Sequence, residues 1–142
     1  MRIFEKLQPL ALLALRLALG IIFFYHGYEK LFREPFAALA EFAPLGLPSY
    51  FYYVLGTLEL FGGLLLILGL LTRVTALLLA IEMGLVLARV SVPRGGIYAV
   101  PNYEFPLALC AGAFALVATG AGLLSLDAAT FERTAKSPKQ KV

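Results

Sequence analysis

Four long apolar runs divide this chain, over residues 10–33, 50–71, 74–92 and 105–126. None alternates apolar and polar with period two, which excludes membrane barrel strands. Each is about twenty residues long, and at a helical rise of about 1.5 Å per residue that matches a hydrocarbon layer of about 30 Å. The pattern predicts an all-α fold, an integral membrane four-helix bundle forming one domain. Between the first two runs, Pro35 can open a helix and residues 36–43 set apolar positions at helical spacing around Glu41. Pro44, Gly46 and Pro48 then break the chain, so a short interfacial helix is expected between spans 1 and 2. The brief link Leu71-Thr72-Arg73 forces spans 2 and 3 into an antiparallel hairpin. Residues 1–9 read as a polar lead into a retained first span, because Arg16 interrupts the run and the run is too long for a signal segment. Residues 127–142 read as a basic cytoplasmic tail that frays after one amphipathic turn.

Composition agrees. Of 142 residues, 61% are hydrophobic and 15% charged, and mean hydropathy is +0.85. A soluble domain carries roughly 25% charged residues. The sequence pI near 9.1 points to topology rather than nucleic acid. With both termini inside, the inner loops and ends hold Arg2, Lys6, Arg73, Arg133, Lys136, Lys139 and Lys141, while the outer side holds Lys30, Arg33 and Arg94. The positive-inside rule therefore predicts a multi-pass protein of the inner or plasma membrane with both termini cytoplasmic. The single cysteine, Cys110, supplies no C-x-x-C pair. The single histidine, His26, rules out bis-His haem ligation within one protomer, and no metal site is expected.

The polar residues inside the apolar runs need a purpose, since a charge at bilayer depth costs on the order of 3 kcal/mol. Counting helical rise from the inner face puts Arg16 roughly 9 Å deep, Glu82 roughly 12 Å and Glu59 roughly 18 Å, with Arg89 and His26 near 23 Å. Arg16, Glu59 and Glu82 are expected to form an inner polar network, the candidate catalytic group. His26, Lys30, Arg89 and Glu104 are expected to form an outer cluster that could bind quinone or another substrate. Arg16, Gly20, Phe23, Gly27 and Lys30 share one helix face, and Gly56, Glu59 and Gly63 share another. In the fourth span Ala108, Gly112, Ala115, Ala118 and Gly122 offer a small-residue face. Each polar residue also has a structural alternative: an ion pair fixing helix register for Arg16, a helix cap for Glu104, snorkelling for Lys30, and an interfacial belt for Tyr50, Tyr52 and Tyr53.

These residues carry a resemblance. Arg16-x3-Gly20, His26-Gly27-x2-Lys30-Leu31-Phe32, Gly46-x-Pro48, Glu59-x2-Gly62-Gly63-x2-Leu66-x2-Gly69-Leu70-x-Thr72-Arg73 and Asn102-Tyr103-Glu104 follow one another over about residues 10–125. In order and spacing the chain resembles the DoxX family of small four-span membrane proteins; Tyr103 stands where glycine is expected beside the asparagine. The resemblance implies a link to thiosulfate:quinone oxidoreduction and to membrane-associated oxidoreductase complexes; it names no cofactor but makes quinone a candidate. It makes the chain a subunit or partner of a redox enzyme embedded in the lipid bilayer. The same buried carboxylates would also serve a small proton-coupled transporter or a membrane assembly factor, either of them as an oligomer.

Overall fold

In the computed structural model, residues 2–33, 46, 48–91 and 100–135 are described. They form five helices and no strand: α1 (Arg2–Tyr28), α2 (Tyr50–Leu68), α3 (Thr72–Val86), α4 (Val100–Thr119) and α5 (Leu126–Ala135). α1 and α3 each run on into a single π-helical turn, Glu29–Arg33 and Leu87–Ser91 respectively. The expected interfacial helix over 36–43 lies outside the described residues, as do the loop at 92–99 and the tail beyond 135.

The all-α expectation holds. Leu7–Arg33 and Tyr50–Leu68 are long and apolar enough to cross a membrane. The surface supports a membrane setting: Ile21, Phe61, Val74, Ile81 and Phe114 are exposed, while Arg16, Glu59 and Glu82 are each 2% exposed. A water-soluble fold places these classes the other way round. Three boundaries differ from expectation. The polar lead is helical from Arg2, with Pro9 accommodated inside α1. α4 begins at Val100, and it ends at Thr119 because Gly120 takes a left-handed φ of 78°. The chain after the fourth run forms a ten-residue helix, α5, rather than fraying after one turn.

Two close helix pairs, α1 with α2 and α3 with α4, make the bundle. The α1–α2 seam is tightest at its glycines. A Cβ at Gly27 would strike Leu60 N and Gly56 O, and one at Gly63 would strike Phe24 N and Gly20 O. Backbones touch at two levels seven residues apart on both helices, fixing their antiparallel register. Leu19, Phe23, Leu66, Ala76, Leu79, Met83, Leu109 and Leu116 fill the centre. On α4 the buried stripe is Leu109, Ala113 and Leu116, not the predicted small-residue face, of which Ala108 and Ala118 are exposed. Of that face Gly112 and Gly122 meet α1 closely, against Leu19 and Leu15 and against Leu12 respectively.

Candidate functional site

The seam decides what the first helix can reach. The face predicted for α1 is the inward one: Arg16, Gly20, Phe23 and Gly27 are buried and Lys30 is half-buried. Lys30 sits in the π turn that extends α1. That turn packs onto α2 at Gly56, where a Cβ would come within 3.2 Å of Lys30 Cβ. Tyr52 O–H donates to the Lys30 carbonyl at 3.1 Å, tying the turn to the start of α2. π turns inserted in α-helices often mark functional sites.

From there the Lys30 ammonium reaches Glu59 Oε2 at 2.7 Å and Glu82 Oε1 at 4.0 Å. The carboxylate side chains are 3% and 2% exposed, and that of Lys30 15%. Both carboxyl groups thus lie within 4.0 Å of the same ammonium nitrogen. Among the described residues, no donor serves either oxygen of Glu82. One ammonium thus faces two buried carboxyls contributed by separate helices, α2 and α3. Buried charge survives only when paired, so this triad is the candidate site.

The predicted inner network is corrected here. Arg16 does not pair with Glu59 or Glu82. Its guanidinium donates to the carbonyls of Ala121 and Leu124, both at 2.7 Å, and lies across Gly69. The physical reason is the lean of helical side chains toward the helix N-terminus. On α1 both Arg16 and Lys30 lean toward residue 2, whereas Glu59, on the antiparallel α2, leans the opposite way. Arg16 and Glu59 therefore diverge, while Lys30 and Glu59 converge. Arg16 instead clasps the turn that follows α4. Asp127 completes this clasp: its carboxylate accepts from Leu71 N at 2.7 Å and Thr72 N at 2.9 Å, and its own N–H donates to Gly69 O at 2.8 Å. A carboxylate on the first N–H groups of α3 also meets the positive end of the helix dipole. A cavity of about 620 Å³ opens beside the clasp, between Gln8, Leu12, Arg73 and Asp127, at the far end of α1 from the triad.

The predicted outer cluster also separates. Lys30 leaves it for the triad. His26 is half-buried with its ring 5.5 Å from that of Phe105 and 6.2 Å from that of Tyr25. Arg89 and Glu104 are exposed. No ion pair or hydrogen bond joins His26, Arg89 and Glu104 to one another among the described residues. No group of three metal-ligating side chains occurs among them either.

Two contributors escaped the sequence reading. Tyr52 passed for a member of the interfacial belt, although 1% exposed, and Asp127 for the start of a tail. Ser125, whose hydroxyl accepts from Ala128 N at 3.1 Å, is the helix-start signal that locates Asp127 in a first turn.

Residues 11–92 match the family model described as DoxX. A Bacillus subtilis (strain 168) protein named "Putative oxidoreductase CatD" is 34% identical over 130 residues, covering 90% of this chain and 92% of that one. An uncharacterized protein of Haemophilus influenzae is 33% identical, covering 91% and 97%. The uncharacterized membrane protein Rv3486 of Mycobacterium tuberculosis is 29% identical, covering 89% and 85%. No solved structure matches the chain.

Proposed function

This chain belongs to the DoxX family of membrane proteins, and we propose that it serves as a membrane subunit or partner of a quinone-linked oxidoreductase system. In this reading it crosses the bilayer four times with both termini in the cytoplasm. The observation that carries the reading is the buried Lys30–Glu59–Glu82 triad. Reducing a quinone to a quinol takes two electrons and two protons, and the protons must reach carbonyl oxygens in an apolar layer. A dry ammonium flanked by two carboxyls can hold a proton there and steady a developing oxyanion. The electron side is not met by this chain's own residues, with one cysteine and one histidine, so electrons come from a partner enzyme. The oxidoreductase name of the Bacillus relative is in keeping with that division.

The test uses purified protein in lipid nanodiscs titrated with a short-chain quinone. The chain has no tryptophan and seven tyrosines, so tyrosine fluorescence is the readout. Quenching that saturates, and that Lys30→Met weakens at least tenfold in apparent Kd, is expected. Absence of saturable quenching, together with unchanged quinone-dependent turnover in membranes lacking the protein, refutes the reading. Proton-coupled movement of a solute into proteoliposomes would identify the transporter alternative instead.

A further inference from the structure

We propose that Glu59 and Glu82 share a single proton, carried on Glu82, so that the triad rests as an ammonium, a carboxylate and a carboxylic acid. This deepens the quinone reading, because the proton held here is the one the site would hand over. Four observations carry it.

First, among the described residues the charges do not balance otherwise. One ammonium and two carboxylates leave one uncompensated negative charge among side chains 2% to 15% exposed. Protonation is the usual escape for a buried group in that position. Second, the geometry is unequal. Glu59 lies 2.7 Å from the ammonium, a close ion pair, while Glu82 lies at 4.0 Å. Glu59 is the counter-ion.

Third, Glu82 lacks a donor. Both its oxygens are buried with no hydrogen-bond partner among the described residues, beside a second carboxyl on the same ammonium. A proton on Glu82 lets a neighbouring carboxylate accept from it in an O–H···O⁻ bond. Fourth, among the described residues Lys30 is the one cation in ion-pair contact with either carboxyl.

Exposure also orders the exchange. Lys30 is the most exposed of the three, and it stands at the π-turn end of α1. The proton enters and leaves past Lys30 from that end.

The test is infrared difference spectroscopy of the protein in lipid at neutral pH, reading the carbonyl stretch of protonated carboxylic acids and its shift in heavy water. Wild type is expected to show one such group per chain, Glu82→Gln none, and Lys30→Met two, since removal of the ammonium leaves both carboxyls to neutralise. Glu82→Gln should fold normally, the amide matching a neutral acid in shape. If it does not, the Lys30→Met increase decides alone. Absence of the band in wild type, its persistence in Glu82→Gln, or an unchanged band in Lys30→Met each overturns the proposal. Quinone is absent from the measurement. The full ladder without quinone quenching would leave the proton site standing and remove the quinone reading.

Discussion

Gly27→Ala tests the seam on which the site depends. The new methyl would lie 2.7 Å from Gly56 O, and still closer to Leu60 N, where ordinary contact begins at 3.4 Å. These are backbone atoms of a helix and cannot turn aside, so α1 must retreat by at least the 0.7 Å difference. Gaps of about 0.5–1 Å forfeit a quarter to a half of each dispersion contact, and overpacking of this kind costs about 1–3 kcal/mol. Helix propensity works the other way and favours alanine by about 1 kcal/mol. Gly84→Ala isolates that gain, because a Cβ there meets nothing within 4 Å. The propensity gain is common to both, so the two variants should differ by the overpacking cost of about 1–3 kcal/mol, a Tm separation of roughly 3–10 °C. The sole cysteine, half-buried Cys110, permits a thiol-reactive dye to follow unfolding in detergent. The same retreat, one turn from Lys30, would stretch its 2.7 Å contact with Glu59 beyond good hydrogen-bond range. Equal melting of Gly27→Ala and Gly84→Ala would refute the backbone contact and the register built on it.

Three further outcomes are expected. Glu59→Gln and Glu82→Gln each leave Lys30 one carboxylate and should be mild, whereas the double variant strands the ammonium and should cost about 3–5 kcal/mol; additive single effects in a denaturation cycle would reject a shared counter-ion. Arg16→Leu removes two charge-assisted hydrogen bonds worth about 1.5–3 kcal/mol each, and Arg16→Lys, with one nitrogen for two carbonyls, should fall between it and wild type in Tm. Folded Arg16→Lys should keep wild-type quinone quenching, because the clasp is separate from the triad. Leu71 holds a left-handed φ of 51°, which Asp127 secures; Leu71→Gly should raise Tm by relieving about 1 kcal/mol of strain and should partly rescue Asp127→Ala.

The helices and the inward face of α1 were legible in the sequence because both follow from periodicity, and lipid enforces periodicity strictly. Gly20, Gly27, Gly56 and Gly63 announced close approach at seven-residue spacing, and the structure places all four in or beside the seam. The end of α4 was less legible, since apolar residues continue past Gly120 and only the left-handed backbone there stops the helix. The fate of 36–43 is outside the described residues.

The site itself was legible in membership but not in pairing, and the reason is directional. Depth counted along helix axes places Cα atoms, yet a lysine or arginine side chain carries its charge about one turn toward the helix N-terminus. For two parallel helices that displacement cancels. For α1 and α2, which are antiparallel, it doubles. The Arg16 guanidinium lies across Gly69, just past the end of α2, and reaches the carbonyls of Ala121 and Leu124 in the turn after α4. Lys30, whose Cβ sits at the level of Gly56, is carried down to Glu59, one turn further along α2. Two glycines leave room for these paths: Gly56 lies against Lys30 Cβ and the Leu31 side chain, and Gly69, whose left-handed φ of 70° also calls for glycine, lies under the Arg16 guanidinium. A bulky residue at position 56 would block Lys30 before it met its carboxylate. The glycines along α2 and the charge spacing of α1 therefore describe one geometry, two cations delivered in the same direction, Lys30 to a carboxylate on α2 and Arg16 past the far end of α2 to the turn after α4.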